Sequence, residues 1–468
     1  MAAELNARPV GGTETSWCRA VPGGTGITVL AFLLSKSPKM LNLQTALHKI
    51  QNSHPILSSR LHTNPKTNTF SLVTSPTSYV QLKSFNLSST LNILETLANP
   101  SNRSVSPLHL ICEHELNENT WQHHNTADPD QDMFFASIYA LPGTTWVLVL
   151  RLHVSACDRT TAVSLLRELA GLMSGRDEGK EREVVVKKKI GNKGEVNLGI
   201  EDLIPSGKAN KGLWLRGMDM LSYSVNSLRL ANLKFKDNKS ARFSQVVRLQ
   251  MNRDETQRVL NGCKARGIKL CALFVAAGLI AVDKCSKHRL DYKMKYGVVT
   301  LTDCRSSLDP PLSDHHFGSY HSAILNTRTT KGGETLWELA NKTYKAFASS
   351  KNSNKHFSDM ADLNFLMCKA VENPTLTSSS SLRTSFMSMF EDPVIDDSSD
   401  VQREAGMEDY MGCASVHGVG PSIAIFDTIR EGRLDCICVY PAPLHSREQM
   451  QELVDNMKKI LVDCDSNV

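Results

Sequence analysis

Apolar positions along this chain follow two periods, and the alternation between them predicts its elements. In LNLQTALHKIQNSHPILSSRLHTN (41–64), Leu43, Ala46, Leu47 and Ile50 recur at helical spacing. His54-Pro55 should end that helix, because a residue before proline is pushed out of the helical region. ILSSRLHT then reads as a strand. FSLVTSPTSYVQLKSFNL (70–87) reads as short strands parted by turn residues. FFASIYALPGTTWVLVLRLHVS (134–155) reads as a hairpin, two apolar strands around a Pro-Gly turn. TTAVSLLRELAGLMSG follows as a helix with Val163, Leu165, Leu166, Leu169 and Leu172 on its apolar side and Gly175 closing it. Thr160 and Thr161 are expected to cap it.

From about Gly175 to Asn238 the pattern loosens into charge runs, glycines and a Trp-bearing amphipathic piece, GLWLRGMDMLSYSV. This segment predicts a long crossover. Regular patterning resumes with a strand over 241–251, a helix in DETQRVLNGCKARG and a strongly apolar helix over 271–285. YGVVTLTDCR reads as a strand, SSLDPPLSDHHFG as a loop, and the Ser/Thr-rich stretch 372–386 as another loop. The chain ends with strand SIAIFDTIR, turn EGR, strand LDCICVYP and a terminal helix. Strands and helices alternate on both sides of the crossover, so the expected fold is α/β with mixed sheets. The expected organisation is an N-terminal domain over 1–175, a crossover over 176–240 and a C-terminal domain over 241–468.

Composition changes this picture little. At 468 residues, 41% hydrophobic and 22% charged, the chain can bury a large core. A net charge of +5 gives no support to nucleic-acid binding. The one dense basic stretch, 180–195, reads as a solvated connection. No apolar run approaches the ~18 residues that span a membrane, and neither end carries a targeting signal. Twelve cysteines are scattered through apolar stretches without metal-ligand spacing, so buried thiols and no metal are expected. A cytoplasmic protein is the expectation.

The chemistry concentrates in LRLHVSACDRTT (150–161), where a buried strand ends in His153 and Asp158 follows. His123-His124 reads as a surface loop, and His315-His316 as packing or exposure. Ser155 lacks the turn of a nucleophile elbow, and Cys157 has no sequence neighbour that would lower its pKa.

Four stretches, in order, carry a resemblance. LQTALHKIQNSHPILSSRL resembles the helix that leads into a His-Pro segment in condensation domains. VLRLHVSACDRTTAVSLLREL resembles their strand–HHxxxDG–helix element. TDCRSSLDPPLSDHHFGSY resembles the DGR loop of plant BAHD acyltransferases, and REGRLDCICVYPAPLHSREQMQELVDNMKKIL resembles a closing hairpin and helix. Together they resemble the BAHD and condensation-domain superfamily of CoA-dependent acyltransferases, as a plant-type member with a degenerate HxxxD motif.

The resemblance implies two chloramphenicol-acetyltransferase-like α/β domains with a channel between them. It implies acyl-CoA as co-substrate, a small alcohol or amine as acceptor, no bound cofactor and a monomer. A channel histidine would act as general base, a step typically worth ~10²–10⁴-fold. Asp158 and Arg305 match the family's structural pair. Counted back from Asp158, the catalytic histidine falls on Val154, and His153 matches only the non-catalytic first histidine. Arg159 and Cys304 replace family glycines. Val416-His417-Gly418-Val419-Gly420-Pro421 is a remnant of the DFGWG motif, which makes Val154 and His417 possible channel residues.

Strand alternation leaves two outcomes for His153. In a regular strand it shares a face with Arg151 and Val149, and Val154 occupies the place of the base. A one-residue bulge would swing His153 into the channel. The chain is accordingly read as an acyltransferase with His153 as displaced base. The alternative is a binding or regulatory protein that keeps the fold without the chemistry. A third reading, an enzyme that takes its acyl group from a carrier protein, has no carrier domain in this chain to support it.

Overall fold

The computed structural model describes residues 7–97, 105–122, 130–175, 196–212, 230–285, 294–330 and 333–463. Its fold is mixed α/β. One sheet runs in the order Met407–Val416, Thr25–Leu34, Trp146–His153, Phe134–Ala140, Leu82–Phe85. Its last pair is parallel and the others antiparallel. The larger sheet runs His321–Thr330, Met294–Asp303, Arg383–Phe390, Gly420–Arg430, Arg433–Ala442, Phe243–Met251, with Val394–Asp396 also paired to Gly420–Arg430. Ala7–Pro9, Thr69–Thr74, Ser59–Asn64 and Asp130–Asp132 form a small antiparallel sheet.

Local patterning explains most of these elements. The helix Met40–Ser53 buries Leu43, Ala46, Leu47 and Ile50 and stops at His54, in extended backbone ahead of Pro55. Pro55–Ser58 adds one helical turn before the strand Ser59–Asn64, so the strand is shorter than its sequence pattern suggests. Trp146–His153 pairs antiparallel with Phe134–Ala140 around the expected Pro-Gly turn. The helix Arg159–Ser174 closes on Gly175 at φ 74°, where a side chain would be strained. Its cap is Asp158 rather than Thr160 or Thr161: the carboxylate accepts the Thr161 N–H at 2.9 Å.

The helix Leu270–Cys285 is apolar nearly all round because it is enclosed. It contacts the helices Leu336–Asn352 and Arg447–Val462 and the strands Met294–Asp303 and Arg383–Phe390. Leu273, Phe274 and Leu279 are fully buried there. Burial contributes roughly 1.5–3 kcal/mol for each such side chain. No single helix among the described residues is long and apolar enough to cross a membrane. The predicted loop over 372–386 is only partly irregular, since the strand Arg383–Phe390 begins inside it.

The halves are joined more closely than a boundary at 240 suggests. Met407–Val416, from the C-terminal half, completes the N-terminal sheet by pairing with Thr25–Leu34, with Gly412 opposite Leu30. Within the expected crossover, Glu201 accepts from the Thr13 N–H and hydroxyl, both at 2.6 Å. Ala231 bridges to Tyr296. The basic stretch 180–195, most of the Trp-bearing piece and His123-His124 lie outside the described residues.

Candidate functional site

A cavity of about 470 Å³ lies between the two large sheets. Trp17, Leu30 and Val154 line it from the N-terminal half; Leu325, Met367 and Phe426 line it from the other. Its size suits a small-molecule ligand, and such sites combine apolar walls with a few placed polar groups. Here Asp158 and His321 are among the polar groups in the wall.

Asp158 is the most heavily engaged of them. As helix cap it accepts from Thr161 through Oδ1, and Arg305 Nη2 donates to the same oxygen at 3.0 Å. Oδ2 lies 2.9 Å from Arg305 Nη1 and accepts the Tyr320 N–H at 2.8 Å and His321 Nδ1 at 3.0 Å. Burial alone would raise this carboxyl. Arg305 and His321 overcome that and hold it far below the usual carboxylate range. Arg305 also donates to the His316 carbonyl and sits over the Tyr320 ring at 4.9 Å. The structure thus brings together the two residues expected to pair.

His153 is placed elsewhere. The strand Trp146–His153 stays in unbroken register with both neighbours, His153 opposite Ile27 and Leu152 opposite Phe134. No bulge intervenes, and the chain turns only after His153, where Ala156 N–H donates to the His153 carbonyl at 2.9 Å. Alternation therefore turns the imidazole away from the cavity and sets Val154 in its wall. The ring of His153 is fully buried, edge-on to Trp121 at 5.3 Å. Its Nδ1 meets the Ser155 hydroxyl at 2.7 Å and accepts the Ser155 N–H at 3.2 Å. Burial pushes its pKa down to about 3, so the ring is neutral. An imidazole enclosed in this way has no path to an acceptor's proton, and the expectation of His153 as displaced base is corrected to a structural histidine.

His417 also stays out of the cavity wall, although its neighbours Val416 and Val419 are part of it. It packs against Gly24, pairs with the Ser244 hydroxyl at 3.0 Å, and is lowered to about 4 by burial and then by Arg383. The Arg383 guanidinium donates to the carbonyls of Val416, Gly418 and Pro421 and holds that loop in place. Cys157 lines the cavity, but burial and the Asp158 charge push its thiol well up, away from a nucleophilic thiolate.

Two residues of the site escape the motif reading. Arg159 donates to Asp427 Oδ1 at 3.0 Å and lies over the Phe390 ring at 4.3 Å. With Phe390 and His321 it borders both the main cavity and a second one of about 240 Å³. His321 begins the strand His321–Thr330, directly after the Phe-Gly-Ser-Tyr of the loop. Nothing local marks it; only its approach to Asp158, remote in sequence, does.

Neither family models nor the sequences of curated proteins match this chain. Solved structures do. The trichothecene 15-O-acetyltransferase TRI3 of Fusarium sporotrichioides superposes with a TM-score of 0.69 at 13% identity, over 97% of this chain and 94% of its own. The chain has the acyltransferase and condensation-domain fold. The condensation domain of the monacolin K polyketide synthase MokA gives a TM-score of 0.61 at 9% identity, covering 99% of this chain and 98% of that domain. The epimerization domain from the third module of tyrocidine synthetase B gives 0.60 at 11% identity, covering 98% and 96%. This fold is the chloramphenicol-acetyltransferase-like arrangement expected from the four sequence stretches.

Proposed function

We propose that this protein transfers an acyl group from an acyl-CoA thioester to a small alcohol or amine held in the cavity between its halves. The supporting observation is the cavity itself: mostly apolar walls with the Asp158–His321 pair set into them, on a fold shared with an acetyltransferase. Apolar walls suit an acceptor with an apolar body, and holding both reactants together supplies much of the rate when the acceptor is already nucleophilic. In this reading acyl-CoA is a co-substrate rather than a bound cofactor, and the protein acts as a cytoplasmic monomer.

One observation favours a second reading, a binding or regulatory protein. Val154 fills the place of the family's base and His153 is buried away from the cavity. Incubating the full chain with hexanoyl-CoA and a set of apolar alcohols and amines distinguishes the two. Acyl transfer predicts free CoA thiol and an acylated product by mass spectrometry. Binding alone predicts a raised melting temperature with these ligands and no product.

A further inference from the structure

We propose that His321, oriented by Asp158, is the general base of this site, so that catalysis has moved from the strand ending at His153 to the strand across the cavity. The inference rests on the acyl-transfer reading and adds the residue that would perform its proton transfer.

Three observations carry it. First, His321 lines the cavity at the start of its strand, with Ser322, Ala323 and Leu325 beside it in the wall. Second, the Asp158 carboxylate fixes the tautomer. Asp158 is held ionised beside Arg305, so Oδ2 can only accept, and the Nδ1 at 3.0 Å must carry the proton. In the neutral ring Nε2 is then left with its lone pair, which is the form a general base requires. Third, Nε2 has no hydrogen-bond partner among the described residues, while the ring is held edge-on to Phe390 at 5.4 Å. His153, whose Nε2 is also unpartnered, differs in being fully buried, outside the cavity wall and without a carboxylate partner.

The step balances without any further reagent. Nε2 takes the proton from the acceptor hydroxyl or amine as its oxygen or nitrogen bonds to the thioester carbonyl carbon. The carbon–sulfur bond then breaks, and the departing CoA thiolate takes the proton from Nε2 to leave as the free thiol. Asp158 acts as a positioning residue, holding the ring and stabilising its charge, and it stays ionised throughout.

The test compares steady-state transfer from hexanoyl-CoA in wild type, His321→Asn and His153→Ala. Asparagine keeps a donor near Asp158 but has no basic nitrogen. His321→Asn is expected to lose about 100-fold or more in kcat with KM and melting temperature little changed. His153→Ala is expected to keep its kcat. Retention of kcat in His321→Asn overturns the base assignment alone. Absence of transfer in wild type overturns the acyl-transfer reading and this inference with it. If His321→Asn fails to fold, diethyl pyrocarbonate mapping of wild type decides. Modification at His321 and not at His153 supports an available Nε2, and an unmodified His321 contradicts it.

Discussion

At the scale of single residues, Asp158 serves three structures at once. It caps a helix, closes a two-point ion pair with Arg305 across the halves, and orients His321. A buried pair of this kind is costly to halve, because the remaining charge loses its partner inside the protein. Arg305→Ala should therefore destabilise the fold by about 3–5 kcal/mol, measured as a lowered urea midpoint. A midpoint close to wild type would show that the pair is solvated and that Asp158 is free to act otherwise. The resemblance of HVSACD and TDCRSS to acyltransferase motifs, not their spacing, points to Asp158 and its link to Arg305. The direction of the His153 ring was not legible there, because a bulge and a regular strand share the same residues. Only the unbroken pairing of His153 with Ile27 decides between them. His321 was invisible for a different reason: its significance is a through-space contact, and nothing in FGSYH encodes it.

At the scale of elements, local periodicity located the helices Met40–Ser53 and Arg159–Ser174 and the hairpin that ends in His153. It could not reveal that Met407–Val416 pairs with Thr25–Leu34, since strand pairing between distant segments leaves no local pattern. That pairing brings the loop after Val416 against the turn at Gly24. Gly24 has φ 92°, and a Cβ built there would fall 1.9 Å from His417 Nε2. Gly24→Ala should thus displace His417 from Ser244 and cost roughly 1–3 kcal/mol in backbone strain, before any cost of repacking. Thermal unfolding of the variant checks this, and an unchanged melting temperature would show that the turn relaxes freely.

At the scale of the whole molecule, the fully buried His153 and His445 contribute to its response to acid, alongside the less deeply lowered His356 and His417. His153 and His445 both have ordinary values of 6.5 and are pushed by burial down to about 3 in the fold. The unfolded chain therefore binds more protons than the native one between those values. Stability is unaffected above the unfolded value and falls as pH drops below it, by about 1.4 kcal/mol per pH unit for each histidine. Urea unfolding followed from about pH 7 to about pH 5 should show this decline, and His153→Gln should remove its share of the slope. An equal slope in the variant would mean that His153 is charged or solvated in the native state.

The most direct test of the whole account is ester or amide formation from hexanoyl-CoA by wild type, set beside Leu325→Trp, which fills the cavity from its wall. The account predicts acylated product from wild type and loss of most of it in the variant, with the melting temperature preserved. No product from wild type, or equal product from both, would contradict an acyl-transfer site between the halves.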